Sequence, residues 1–146
     1  MSELIASGPT GRPLWVRLMM TVLLTVGIGP LVGTILVYLA DAAGLTPEAI
    51  SIHMQGQTTL SVLVSGYVSG GLQAFICGLT FALVGRICGR LSVWVPVVTA
   101  LLLAALFALA LFGVSGNGII FSVIIHIVPA LVTWWLVKAY WQKAAT

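Results

Sequence analysis

The sequence predicts an all-α, polytopic membrane protein with four transmembrane helices and both termini in the cytoplasm. The chain has 146 residues, of which 60% are hydrophobic and only 6% are charged, whereas a soluble domain has about 25% charged residues. Four apolar runs are long enough for membrane helices, which need about 20 residues each. Nothing in this composition can cover a water-soluble surface, so we interpret residues 1–146 as a single membrane domain.

The first predicted helix covers residues 18–40 and follows a polar segment that contains Gly and Pro. Its uncharged run is longer than the roughly 7–15 residues of a secretory signal core, so we interpret it as an uncleaved anchor. Gly29 and Gly33 lie one helical turn apart and predict a face for close helix packing. Pro30 lacks a backbone N–H, and we therefore expect the helix to bend there.

The polar connection after this run predicts a short helix at residues 47–55 that lies on the membrane surface. Thr46 is a suitable N-cap, Pro47 suits the first helical position, and Glu48 places an acid in the first turn. Gly56 is a suitable stop for this helix.

The second predicted membrane helix covers residues 59–85, and we expect it to form the centre of the bundle. Small residues on several of its sides predict close approach of neighbouring helices, and these are Gly66, Gly70, Gly71 and Gly78. Polar or small side chains also occur at every fourth residue and form a line along the helix, at Ser61, Ser65, Ser69, Gln73 and Cys77. We interpret this line as a packing face rather than a pore lining, because a conducting pore needs more polar surface.

The third and fourth predicted helices cover residues 91–113 and 119–137, with a short turn between them. The third is almost purely apolar, so we expect it to have the largest lipid-facing surface. The fourth ends in aromatic and basic residues of the kind that anchor helices at the membrane interface, and these are Trp134, Trp135, Lys138, Tyr140, Trp141 and Lys143.

The basic residues predict the orientation of the chain. In a four-helix layout all six Lys and Arg fall on one side, whereas Asp41, Glu48 and His53 fall on the other. The positive-inside rule places the basic side in the cytoplasm. Membrane topology therefore accounts for the net charge of +3, and nucleic-acid binding is not indicated. The predicted cytoplasmic anchors are Arg12, Arg17, Arg86, Arg90, Lys138 and Lys143.

The sequence contains no catalytic constellation. No acidic residue lies within a predicted span, no metal-ligand spacing occurs, and there is no phosphate-binding loop. We therefore predict that the protein is not an enzyme and has no metal or cofactor. Cys77 and Cys88 are interpreted as unreactive thiols.

Gln73 and His126 are the two polar residues that we place near the middle of the membrane. For His126 we favour a structural hydrogen bond to a Ser, Gln or backbone carbonyl of a neighbouring helix. The nearby Pro129 cannot donate to the carbonyl of Ile125, which leaves an acceptor free beside it. The alternative is a site for a haem, a quinone or a transferred proton.

Three segments carry a resemblance to a known family: IGPLVG, YVSGGLQAFICGLTFALVGR and GIIFSVIIHIVPALVTWWLV. They resemble, in this order, a domain-of-unknown-function family of small four-helix inner-membrane proteins from rhizobia and relatives. The resemblance implies location in a bacterial inner membrane and implies no activity or site residues. In size and helix number the chain is also similar to the small subunits of tripartite transporters.

These observations favour a non-enzymatic accessory or structural subunit of a membrane complex. Its expected partners are the lipid bilayer and other membrane subunits or further copies of itself. A small transporter or channel component is the first alternative, because Pro30, Gln73, His126 and Pro129 lie at membrane depth. A quinone- or redox-associated membrane protein is the second.

Overall fold

The computed structural model describes residues 13–88, 92–112 and 116–143. Eight of them are described by their backbone only: Ala49, His53, Leu111, Phe112, Gly116, Asn117, Gln142 and Lys143. No β-strand occurs in these ranges. Three of the helices are long and apolar enough to span a membrane, and α4 is apolar but shorter, which confirms the all-helical class. The helices are α1 (Leu14–Ala42), α2 (Glu48–Met54), α3 (Thr59–Cys88), α4 (Trp94–Phe112) and α5 (Gly116–Lys143).

Several helices are longer than the apolar runs that predict them. α1 begins at Leu14 and includes Arg17, and α3 continues to Cys88 and includes Arg86. Polar residues at a span end do not stop a helix, because their long side chains reach the interface while the backbone stays helical. The same reason extends α5 through the aromatic and basic cluster at its end.

Part of the turn predicted between the last two helices belongs to α5. That helix begins at Gly116, so residues 116–118 are helical, and residues 113–115 lie outside the described ranges. The connection between α3 and α4 also lies partly outside them, at residues 89–91.

The short helix α2 lies within the predicted residues, but its N-terminus is built differently. Pro47 is the N-cap and no side chain caps the helix. The Thr46 hydroxyl is buried with no partner among the described residues, so the predicted Thr46 cap is wrong. Gly56 follows the helix with φ of 79°, a left-handed conformation that suits glycine and ends the helix as expected.

The four long helices pack in the order α3, α1, α5 and α4, with a weaker contact between α3 and α4, so no single helix is the centre of the bundle. The prediction that residues 59–85 form the centre is therefore wrong, because α3 packs mainly on α1 and leaves Val68 and Leu72 76% and 67% exposed. The buried residues of α1, which packs on both α3 and α5, are small or compact. They are Thr21, Thr25, Gly29, Pro30 and Thr34.

Glycine contacts show how closely α1 and α3 approach. A Cβ at Gly78 would lie 3.1 Å from both the Val22 Cα and the Thr25 Cβ. A Cβ at Gly66 would collide with the Thr34 hydroxyl. Gly78, near the end of α3, faces residues 22–25 of α1, whereas Gly66, nearer the start of α3, faces Thr34. The two helices therefore run antiparallel.

The other predicted packing glycines differ among themselves. A Cβ at Gly29 would lie 3.4 Å from the Ala74 Cβ, and one at Gly70 would lie 3.6 Å from the Pro30 Cβ. A Cβ at Gly71 would meet no atom within 4 Å. Within the described residues, Gly71 therefore has no role in close packing.

Within the described ranges, the side chains of Tyr67, Ser122 and Trp141 each form a hydrogen bond to a different helix. In a membrane such bonds contribute about 0.6 kcal/mol on average, so they align the helices more than they drive association. The bonds run from the Tyr67 hydroxyl to the Gly27 carbonyl at 2.6 Å, from the Ser122 hydroxyl to the Ala104 carbonyl at 2.8 Å, and from the Trp141 indole N–H to the Thr21 hydroxyl at 3.1 Å.

The described basic side chains lie at one end of the bundle, where α1 begins and α3 and α5 end. The Arg17 guanidinium lies 4.5 Å from the centroid of the Trp141 ring, and the Lys138 ammonium lies 4.9 Å from that of Trp134. Arg86 lies in the last turn of α3. Cations over aromatic rings are attracted by the ring quadrupole, so this end combines charge with aromatic surface as interfacial anchors do.

Candidate functional site

A cavity of about 370 Å³ lies between α1, α3, α4 and α5. Along α1 its lining runs from Thr25 to Val37, which corresponds to roughly 18 Å at a rise of about 1.5 Å per residue. Ile50 and Met54 of α2 line the end of the cavity near Val37. The cavity therefore occupies the interior of the bundle from the α2 end to about its middle.

Four hydroxyl groups that line the cavity are bonded within their own helices. Each donates its hydrogen to the backbone carbonyl one turn earlier, so its oxygen can act toward the cavity only as an acceptor. The donor to acceptor distances are 2.9 Å for Thr25, 2.8 Å for Thr34, 2.7 Å for Ser69 and 2.9 Å for Thr133.

His126 is a buried titratable side chain of the cavity wall, with 8% of its surface exposed, close to the 7% of Cys77. Its Nδ1 lies 2.7 Å from the Ser122 carbonyl oxygen. The expectation of a partner on a neighbouring helix is therefore wrong, because the carbonyl one turn earlier in α5 is already within reach of the ring. Phe107 of α4 covers the ring at a centroid distance of 5.2 Å.

The hydrogen bond to Ser122 determines which nitrogen of His126 carries the proton. A carbonyl oxygen can only accept, so Nδ1 must donate, and in a neutral imidazole Nε2 is then a bare acceptor. The ring is neutral because a charge at this depth in a membrane is costly. Nε2 is buried and has no partner among the described residues.

Pro129 adds a second acceptor beside His126. As expected from the sequence, it lies inside α5 and has no N–H to give to the Ile125 carbonyl. Ile125 lines the cavity, and a Cβ at Gly33 would lie 3.8 Å from its carbonyl oxygen. The absence of a side chain at Gly33 thus leaves room next to that carbonyl.

The polar line of α3 faces the cavity. Ser65, Ser69, Gln73 and Cys77 all line it. Our interpretation as a packing face is therefore wrong at Ser65, Ser69 and Gln73, whereas Cys77 is buried. α3 is tilted onto α1 through its glycines, and the neighbouring polar side is left beside the cavity. Gln73 is half-buried there.

The cysteines do not form a reactive pair. Cys77 is buried, Cys88 is exposed, and both are free thiols. The part of the chain that the structure describes holds no group of three or more His, Cys, Asp or Glu that could bind a metal ion.

Two of the cavity threonines, Thr34 and Thr133, were missed in the sequence, although a repeated motif carries the signal. Thr34 and Thr133 each lie four residues after a helix-internal proline and donate to that proline's carbonyl. The two segments read IGPLVGT and IVPALVT. They face each other across the antiparallel pair α1 and α5, since a Cβ at Gly29 would lie 4.0 Å from Thr133.

Comparisons with protein-family models, with curated proteins and with solved structures find no match to this chain.

Proposed function

We propose that this protein is a non-enzymatic α-helical membrane protein that binds a small, largely apolar molecule in this partly open cavity. The observation that carries the proposal is a cavity of about 370 Å³ with His126, whose buried Nε2 has no partner among the described residues, in its wall. Ligand pockets measure about 300–1,000 Å³, and a cavity of about 150 Å³ already binds benzene. The space suits a molecule of two or three ring-sized units.

The proposal includes the four-span topology in a bacterial inner membrane with both termini in the cytoplasm. α4 has 19 residues, or about 28 Å of helix, which matches a hydrocarbon core of about 30 Å. Arg17, Arg86 and Lys138 lie at the same end of the bundle, and the positive-inside rule favours that end as cytoplasmic. Arg12 and Arg90 lie outside the described ranges.

The test is recovery of the bound molecule from protein purified in mild detergent. Solvent extraction followed by mass spectrometry should yield one lipophilic compound in near-equal amount to the protein. Ala100 lines the cavity and is 1% exposed, so Ala100→Leu should fill the space and remove the compound. Ala130→Leu fills it from α5 and should do the same.

The matched control is Ala105→Leu, the same substitution on the exposed side of α4. It should retain the compound at the level of the parent protein. If the parent and all three variants carry the same lipids in the same amounts, the lipids are only the surrounding shell and the proposal fails.

A second candidate function is transport of such a molecule. The two helices with internal prolines, α1 and α5, both line the cavity through Pro30 and Pro129, and interrupted helices beside a central site are typical of transporters. Passage of a solute across liposomes that contain the parent protein, and its loss in Ala100→Leu, would support it. An accessory role in a larger complex stays a prediction and is compatible with either function.

A further inference from the structure

We propose that the molecule in the cavity is neutral, mainly apolar, and carries a hydroxyl group that donates a hydrogen bond to Nε2 of His126. This inference rests on the proposed function and specifies the class of ligand. Its basis is that the polar atoms of the cavity wall include more hydrogen-bond acceptors than donors.

Most of the polar atoms on the wall are acceptors. Nε2 of His126 has a free lone pair because Nδ1 is committed to Ser122. Pro129 leaves the Ile125 carbonyl without its usual helical donor. The four hydroxyls already described each give their only hydrogen to a carbonyl of their own helix.

Donors on the wall are fewer and lie on another helix. They are the Gln73 amide, the Ser65 hydroxyl and the Cys77 thiol, all on α3, whereas His126 lies on α5. Nothing among the described residues donates to Nε2. A buried acceptor without a partner costs about 1–3 kcal/mol, so a ligand that supplies a donor at this atom is favoured over one that does not.

The charge of the lining residues limits the class of ligand further. The lining contains no Asp, Glu, Lys or Arg, so a ligand ammonium or carboxylate would be buried without a counter-ion, which is strongly unfavourable. A hydroxyl supplies the donor without a charge. Phe107 packs on the His126 ring with the planes at 58°, and its apolar surface favours a ring or hydrocarbon next to that hydroxyl.

The test uses three matched probes on the full-length protein in lipid nanodiscs: 1-naphthol, 1-methoxynaphthalene and naphthalene. The protein is labelled with ¹⁵N-histidine, and since the chain has two histidines, the His126 signals are assigned by their loss in His126→Phe. Without a probe, the spectrum should show a protonated Nδ1 and an unprotonated Nε2. Naphthol should shift the Nε2 resonance, and the two other probes should not.

Affinity gives the second measurement. Naphthol should bind the parent protein about tenfold more tightly than its methyl ether, the factor expected of one additional buried hydrogen bond. In His126→Phe this preference should disappear. If that variant does not fold, the signals that remain in His53→Gln assign His126 instead, and the spectrum of the parent protein still decides the protonation of Nε2.

The outcomes separate this inference from the function on which it rests. Equal or tighter binding of the ether, or a spectrum with Nε2 protonated, would overturn the hydroxyl donor while leaving a ligand site in place. A shift of Nε2 that is already present without a probe and is removed by Ala100→Leu would support a native donor in the cavity. Failure of all three probes to saturate would overturn the binding function itself.

Discussion

The contact between Gly66 and Thr34 allows a sharp test of the packing of α3 on α1. A Cβ added at Gly66 would collide with the Thr34 hydroxyl and lie 3.4 Å from the Thr34 Cβ. Thr34 is 5% exposed and donates its hydrogen bond to the Pro30 carbonyl at 2.8 Å. To admit Gly66→Ala, the threonine must rotate and lose that bond, or the two helices must separate.

The expected effect follows from opposing contributions. Overpacking costs about 1–3 kcal/mol and the lost bond about 0.6 kcal/mol, while alanine gains about 1 kcal/mol in helix propensity over glycine. Gly66→Ala should therefore lower the free energy of unfolding by about 1–2 kcal/mol. Gly71→Ala, in the same helix but with no atom within 4 Å of its Cβ, should raise it by about 0.5–1 kcal/mol.

The assay is reversible unfolding in mild detergent or bicelles, with both variants measured under the same conditions. The double variant Gly66→Ala/Thr34→Ala removes the obstructing hydroxyl and should recover part of the lost stability, with a coupling free energy above about 0.5 kcal/mol. Equal effects of Gly66→Ala and Gly71→Ala, or no coupling to Thr34→Ala, would refute the contact between these helices.

Three further predictions concern other parts of the chain. Trp141→Phe removes the indole N–H that bonds to α1 and should lower the free energy of unfolding by about 1 kcal/mol, measured in the same assay; no change would show that this bond contributes nothing. Leu103→Ala enlarges the cavity, which Leu103 lines, and should destabilise the protein more than Leu102→Ala, whose side chain is 63% exposed; equal loss would contradict the assigned faces of α4. A reporter that is active only in the periplasm should be active when inserted at Gly56 and silent when fused after Thr146, and activity at the second position would refute the four-span topology.

The helices could be predicted from the sequence because they depend on local properties. Length and apolarity of a run specify a helix in a membrane without reference to the neighbours. The ends of the helices were less predictable. The charges of Arg17 and Lys138 mark the limits of apolar runs, yet both residues lie inside helices. A charged side chain can reach the interface from within a helix.

The arrangement of the helices depends on which face meets which partner, and the sequence does not carry this information directly. Both α1 and α3 have small residues at fourth-residue spacing, yet α1 packs on two helices, α3 and α5, whereas α3 packs chiefly on α1. Gly71 illustrates the point, because it follows Gly70 directly and yet has no neighbour within 4 Å of its Cβ position.

The candidate site was only partly predictable. Gln73 and His126 stand out in the sequence because polar residues at membrane depth are costly. The cavity between them could not be predicted, since it results from the spacing of four helices. The partner of His126 follows from a local rule that was available, because a side chain can bond to the carbonyl one turn earlier, here that of Ser122.

The position of α2 affects how fast a bound molecule could exchange. Ile50 and Met54 are half-buried and line the cavity end next to α2, and Gly44 and Gly56 flank the helix with φ of 68° and 79°. Departure past α2 requires these two side chains to leave their apolar contacts, at about 1 kcal/mol each for half of a full burial. That barrier corresponds to roughly 30-fold slower release than from an uncovered mouth. Residence time can then be changed by substitutions at Ile50 or Met54 that leave the affinity-determining wall around His126 intact.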